Sequence, residues 1–488
     1  MVKRSRHLKK EHGILPEVQP TSKGRRISES ERTQVKAFYE SDEVSRMCPG
    51  KKDCLTVRDE NGLKIKAQKR LMLGSLRELY NLYKDDDKTP KVGFSTFAAL
   101  RPKQCVLAGS SGTHTVCICT YHQNPALIIS ALDLPGLTVT DLLDHAVCDV
   151  ANRDCMMQAC DDCPREEGVQ ALLRLVMSED TGEDEEDYGD DEIRYRQWIS
   201  TDRCTLKEII ESRDDCLISL SRQISELTKH HYRAKAQSAY FAHLKESVEA
   251  GEVVVHGDFS ENYSFVVQDA AQGFHWDNSQ CTLHPFVVHW REEESDSTCH
   301  QSYCFISDGT KHNTAMVHAF LRRLIPEIRG KVQRLKKIHY FTDGCAAQYK
   351  NKYNFVNVCH HEKDFEGVSC EWHFFATSHG KGACDGIGGT AKRATYHESL
   401  RRPLSDQILT AEAMFEFLST KFVSVIKFIF VPATEVETVE NSLSARFARA
   451  VTVKGTKQYH RFSSQNIQNI TVRELSSDND GKEVKVFK

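Results

Sequence analysis

The period of apolar positions changes several times along this chain. Between residues 252 and 400, five short runs are rich in β-branched and aromatic residues. They are VVVHGDF (Val253–Phe259), HPFVVHWRE (His284–Glu292), SYCFISDG (Ser302–Gly309), IHYFTDG (Ile338–Gly344) and CEWHFFATSH (Cys370–His379), and they predict strands. TAMVHAFLRRLIPEI (Thr314–Ile328) and AAQYKNKYNFVNVCHH (Ala346–His361) carry apolar residues at helical spacing, and a further helix is expected from Asp385 onward. The order is three strands, helix, strand, helix, strand, helix, which predicts the α/β class.

Outside this stretch the pattern is mostly helical or featureless. LMLGSLRELYNLY (Leu71–Tyr83) places Met72, Leu73, Leu76, Leu79, Tyr80 and Tyr83 on one helical face, and FSTFAALRP (Phe94–Pro102) predicts a short second helix ended by Pro102. Helix, polar turn, helix is the outline of a DNA-binding helix-turn-helix, and equally of any helical hairpin. The expected layout is a basic disordered arm (1–45), a helical region (46–104), a Cys/His-rich module (105–175), an acidic linker (176–195), a helical segment (196–251), the α/β core (252–400) and a C-terminal region (401–488). In the last, Ala411–Lys421 reads as a helix, Phe422–Pro432 contains a strand, Val451–Phe462 has hairpin character, and the final SSDNDGKEVKVFK is expected to be mobile. His230 and His231 fall in the helical segment, where solvation or packing is the expected role.

Composition narrows the picture little. The 488 residues suffice for two or three domains, with 40% hydrophobic and 27% charged residues and a net charge of −4. The distribution of charge says more. Basic clusters, KRSRHLKK (Lys3–Lys10) and KGRR (Lys23–Arg26), sit at the start, and acid is concentrated in Ser178–Glu192. The basic clusters read as nuclear import signals, phosphate contacts or a solvated tail. The opening residues lack the apolar core of a signal peptide, and the longest apolar stretch, Phe422–Pro432, is short and broken by Lys427. No membrane partner is expected, and the 18 cysteines are expected to be free, buried or metal-bound.

Nine potential ligands crowd residues 105–163: Cys105, His114, Cys117, Cys119, His122, Cys148, Cys155, Cys160 and Cys163. Thiolate and imidazole are the usual ligands of structural Zn²⁺. The favoured sets are Cys117, Cys119 and His122, or Cys155, Cys160 and Cys163; the alternative is a group of buried free thiols.

Three acids stand out in the α/β stretch. Asp258 and Asp343 each end an apolar run, and Asp385 lies in HGKGACDGIGG (His379–Gly389). A carboxylate at the end of a buried strand is costly without a cation or donor. Three on one sheet read as a phosphodiester-processing site for two Mg²⁺ or Mn²⁺ ions. Asp-Gly is also a turn signal, and Asp308, which likewise precedes Gly, is taken as structural. Lys381 is a phosphate-ligand candidate, and Lys350, Lys392 and Arg393 are further DNA-facing candidates that a surface helix would carry in any case. The glycines 380–389 permit close approach to DNA or make a tight loop.

GDFSENYSFVVQDAAQGFHWDNSQ, YFTDGCAAQYKNKYNF and EWHFFATSHGKGACDGIGGTAKR, together with CVLAGSSGTHTVCICTYHQN, resemble stretches of DDE-type transposases and proteins derived from them. The resemblance implies a ribonuclease-H-like mixed sheet flanked by helices. In that core the first acid lies on the first strand, the second at the end of the fourth, and the third on the helix after the fifth. The matches are Asp258, Asp343 and Asp385, with Glu398 as the alternative third acid. The implied activity is metal-dependent DNA strand cleavage and strand transfer in the nucleus, by a homo-oligomer on paired DNA ends. The alternatives are an inactive transposon-derived nuclear DNA-binding or chromatin-associated protein, and a zinc-dependent interaction module.

Overall fold

A computed structural model describes residues 27–41, 44–47, 54–58, 64–72, 76–85, 90–107, 119–134, 137–180, 192–200, 204–267, 279–292, 297–380 and 382–488. The chain divides into two compact units, 1–118 and 119–488.

In the first unit, α1 (Glu29–Glu40) falls within the stretch expected to be disordered. The reason is local. Ser28 Oγ accepts from the Glu31 N–H, Glu31 returns a bond to the Ser28 N–H, and Val35 and Tyr39 bury one face. β1 (Ser45–Met47), β4 (Arg70–Met72) and β5 (Cys105–Leu107) form one sheet, and β2 (Cys54–Arg58) pairs with β3 (Lys64–Gln68). The region 46–104 is therefore not uniformly helical. Leu71 and Met72 belong to a strand because buried Arg70 anchors it, its Nε donating to Ser45 Oγ (2.8 Å). The two expected helices are α2 (Leu76–Asp85) and α3 (Phe94–Ala99), packed through Tyr80, Tyr83, Phe94 and Phe97.

The second unit contains two cores strung on one helix. α4 (Thr120–Ala131), α5 (Val139–Ala146), α6 (Arg153–Met156) and α7 (Arg165–Asp180) surround the first half of α8 (Arg213–Ser247). Ahead of α8, β6 (Glu192–Ser200) and β7 (Cys204–Ser212) form a hairpin where a helix was expected. EIRYRQWIS and CTLKEIIES alternate with period two, and α8 begins only at the Ser212 cap. α8 has 35 residues and runs about 50 Å. Its far half, through Tyr240, Phe241 and Leu244, covers the main sheet.

That sheet has ten strands: β8 (Glu252–Gly257), β9 (Tyr263–Ser264), β10 (Gln280–Arg291), β11 (Thr298–Ser307), β12 (Lys337–Thr342), β13 (Ser369–Phe374), β14 (Ile426–Phe430), β15 (Arg461–Ser464), β16 (Asn469–Arg473) and β17 (Lys482–Lys485). The spatial order is β14-β11-β10-β8-β12-β13-β15-β16-β17, with β9 on β10. β10 is antiparallel to β8 and β11, whereas β8, β12 and β13 run parallel. α9 (Thr314–Arg329) connects β11 to β12, and α10 (Lys352–Asp364) connects β12 to β13. Both pack with α13 (Ala433–Ala448) on one face, over Val253, Val255, Ile338 and Tyr340. α11 (Ala383–Arg401) and α12 (Ala411–Lys421) cover the other face of β10 and β11. Cover on both faces explains why β8 reads as a run of valines instead of an alternation. The molecule is thus a mixed sheet flanked by helices, and among the described residues no helix is long and apolar enough to cross a membrane.

Two further expectations change. The glycines of GACDGIGG form the first turns of α11 and not a loop. Gly388 is required there, since a Cβ would stand 2.0 Å from Ser260 Oγ. The last residues are ordered. β17 pairs with β16, and Val486 and Phe487 are buried in the main core, Phe487 beneath Arg449 at 4.2 Å. The C-terminal region therefore braces the sheet at both ends. Phe487→Ala is expected to cost about 3 kcal/mol in equilibrium chemical denaturation; a cost within error of zero would contradict the packing described.

Candidate active site and metal centres

The register of β8 and β12 matches His256 with Phe341. Both strands end two residues or fewer later, and the next residues in step are Asp258 and Asp343. The Asp258 N–H donates to Pro285 O (3.3 Å), holding the chain against β10 just past the end of the ladder. Asp343 is half-buried, and its Oδ1 accepts from the Cys345 N–H at 3.1 Å. Burial raises the pKa of Asp343 above its ordinary value. The segment after β13 passes over it, a Cβ at Gly380 lying 3.4 Å from Asp343 Cβ. That segment leads to α11, where Asp385 sits in the first turn, exposed, with Oδ2 accepting from the Gly382 N–H at 2.8 Å.

Two buried side chains report that the acids share one region. Burial, followed by the negative fields of Asp258 and Asp343, raises the Tyr349 pKa. Burial, followed by Asp258 and Asp385, raises the Cys384 pKa. Tyr349 is fixed by a 2.6 Å contact between its hydroxyl and His284 Nε2. The three carboxylates are not drawn together within 4.8 Å of one another. Glu398 lies about 20 Å farther along α11 and pairs with Arg402 at 3.2 Å.

The basic candidates scatter. Lys350 is half-buried with Nζ 5.0 Å from the Phe374 ring centre, and burial lowers its pKa to about 7. Lys392 is half-buried beside Glu261, Cys281 and Cys304, with its pKa lowered by burial. Arg393 is exposed, and Lys381 lies outside the described residues. Asp308 accepts from the Ala433 N–H (2.7 Å) and so caps α13. Asn262 Oδ1 accepts from Thr282 Oγ1 (3.1 Å) and meets His312 Nε2 (2.7 Å).

Three groups of donor atoms do lie within 4.8 Å of one another. The first is Cys148, Cys155, Cys160 and Cys163, arranged around α6 and its Asn152 cap. The Cys148 N–H also points at Cys163 Sγ (3.4 Å). Hydrogen bonding with Cys163 and then burial push Cys148 to about 12, and burial pushes Cys155 to about 11. Burial opposes ionisation of Cys163 as well, but the Cys148 N–H and the neighbouring thiols outweigh it and lower its pKa. Four thiols of which one is readily ionised are a ready cation site. Cys148 completes the trio expected from the sequence.

The second group is Cys119, His122, His230 and His379. Cys119 and His122 were expected as ligands, but their companions come from α8 and from the segment before α11. Nothing in local spacing links them. Their supposed companion Cys117 lies outside the described residues, as does His114, and Cys105 is buried in the first unit. The role assigned to His230 from the sequence, solvation or packing alone, does not match this convergence. Burial first, and then neighbouring imidazoles, lower His230 to about 3 and His122 to about 4, so both are neutral at physiological pH.

The third group, His339, Glu371 and His373, is a different case. Glu371 is already met by Arg461 (2.7 Å) and Lys337 (3.2 Å), so the chain itself supplies the positive charge.

Three family models match the chain, each described as a domain of unknown function: DUF8699 over residues 26–109, DUF8700 over 120–228 and DUF8701 over 237–476. No curated protein matches. Among solved structures, "Mos1 transposase paired-end complex with left transposon end" matches with 9% identity, covering 77% of this chain and 92% of that one, at a TM-score of 0.23. A likeness that slight carries neither fold nor function.

Because burial raises the Asp343 pKa, the folded chain holds that proton more tightly than the unfolded chain. Wild-type stability therefore falls as pH rises from about 4, where an unfolded Asp ionises. Asp343→Asn keeps Oδ1 as the acceptor and removes this loss. Without added divalent ions the variant is expected to melt above wild type at pH 7, with the gap closing below about pH 4. Thermal melts across that range check it, and coincident midpoints at pH 7 would contradict it.

Proposed function

We propose that this chain is a transposase-like enzyme that cleaves and joins DNA strands, with Asp258, Asp343 and Asp385 holding two Mg²⁺ or Mn²⁺ ions. The observation that carries the reading is the placement of Asp258 and Asp343 in step, just past the ends of two adjacent parallel strands. The strand order β11-β10-β8-β12-β13, with β10 reversed, supports a ribonuclease-H-like core, as does a third acid on the helix that follows β13. The donor set fits the ions: carboxylate oxygens suit hard cations, and the half-buried Asp343 is destabilised by its own charge.

Bound ions would supply positive charge to the attacking and leaving oxygens of an in-line displacement on a phosphodiester. The chain's own groups hold the site. The Cys345 N–H orients Asp343, the Gly382 N–H orients Asp385, and Tyr349 packs beneath them. Water as nucleophile gives strand cleavage, and a DNA 3′-hydroxyl gives strand transfer. DNA is the proposed partner, with Arg393, Lys381, Lys392 and Lys350 as candidate contacts, the nucleus as location and a homo-oligomer on paired ends as the working form. Lys350 suits this least as a fixed charge, since it titrates near neutrality. Cys148, Cys155, Cys160 and Cys163 are proposed to hold a structural Zn²⁺.

One observation favours the second reading, an inactive nuclear DNA-binding or chromatin-associated protein: the three acids are more than 4.8 Å from mutual contact. Nicking and joining of candidate transposon ends by the full chain separates the two. Mg²⁺-dependent products are expected, reduced at least about 100-fold in Asp258→Ala and Asp343→Ala, since even groups that only orient metal ligands are worth ~10–100-fold. Equal activity in wild type and Asp343→Ala refutes the assignment. DNA binding without cleavage, undiminished by loss of the acids, supports the inactive form.

A further inference from the structure

We propose that Cys119, His122, His230 and His379 form a second zinc site, of one sulfur and three nitrogens, which fastens the segment before α11 to the middle of α8. The four residues come from three places. Cys119 caps α4 and His122 lies in its first turn, His230 projects from α8, and His379 follows β13. Cys119 Sγ is 3.1 Å from His230 Nε2, and His230 Nε2 is 3.0 Å from His379 Nε2. The edges of a tetrahedron built on Zn–N of about 2.0–2.1 Å and Zn–S of about 2.3 Å are about 3.3–3.6 Å. The observed separations fall just inside those edges, so a small expansion seats the ion.

Hydrogen bonding alone leaves this cluster poorly satisfied. His230 Nε2 faces both a thiol and an imidazole nitrogen, and a single ring nitrogen cannot serve both well. His122 Nδ1 is buried with no hydrogen-bond partner, whereas its Nε2 faces His231 Nδ1 at 3.2 Å. That is the arrangement of a ligating imidazole whose other nitrogen is oriented by a neighbour. Ser378, immediately before His379, holds a left-handed φ of 64°, a cost that an anchored His379 would offset. Mixed sulfur and nitrogen donors select zinc over the hard cations proposed for the acids.

The site has a mechanical consequence, which rests on the reading of the acidic trio given above. The segment that carries His379 passes over Asp343 at Gly380 and ends at the helix of Asp385. An ion on His379 would therefore set where the third acid stands.

Zinc per chain, measured on purified full-length protein, tests the site without reference to activity. His379→Ala is expected to lower the count by one equivalent, and His379→Cys, which keeps four ligands, to retain it. In Cys155→Ser, where the four-thiol cluster is broken, the remaining zinc is expected to show an X-ray absorption shell of one sulfur and three nitrogens. An unchanged count in both His379→Ala and His122→Ala, or an all-sulfur shell for every bound zinc, overturns the proposal. Asp343→Ala is expected to abolish cleavage with the zinc count intact, so failure of the acidic site and failure of the zinc site give different results.

Discussion

The parallel pairing of β8 with β12 is the constraint on which the molecule turns. It aligns two chains that leave the sheet side by side, each delivering an aspartate at its first free position. Along their length these strands are sealed above and below, by α9 and α10 on one face and by the far half of α8 on the other. The carboxyl ends of the strands are therefore where polar chemistry can enter, as is general for open α/β sheets. The close approach of α11 to Ser260, possible because residue 388 has no side chain, brings the third acid toward the same end.

Around that end the molecule separates two kinds of donor. Oxygen ligands stand on the sheet and on the first turn of α11, whereas sulfur and imidazole nitrogen gather in and beside the helical module. The separation matters because a thiolate near the carboxylates would compete for softer metals. The nearest thiols, Cys384 and Cys345, are instead kept protonated by burial and by the acids' own field. α8 ties the two regions together. Its Leu227 lies in one core and its Phe241 packs on the other, and between them Gln237 donates to Phe374 O (2.8 Å) and accepts from Ser476 N (2.9 Å).

How much of this was legible in the sequence depended on whether the signal was local. The strand-end positions of Asp258 and Asp343 were readable because each closes an apolar run. Cys155, Cys160 and Cys163 were readable because one turn and its flanking loops bring them together. The β6–β7 hairpin was lost because its alternation abuts a long helix and was absorbed into that helix's pattern. His230 and His379 were lost for a deeper reason: no short spacing relates them to Cys119, and only the packing of α8 against the sheet creates the neighbourhood. The sealed edge formed by β17 was missed because a polar, charged strand with one buried aromatic after it resembles a free tail.

That edge strand bears on how the molecule is made. Val486 and Phe487 are part of the same core as Val253 and Val255, which emerge from the ribosome more than two hundred residues earlier. During synthesis the valine-rich strands must wait, partly uncovered, until nearly all of the polypeptide has been translated, and contacts of such long range are slow to form. A nascent chain of this kind has an extended interval in which chaperones can engage it. A message cut short before these codons would yield a product with its sheet left open.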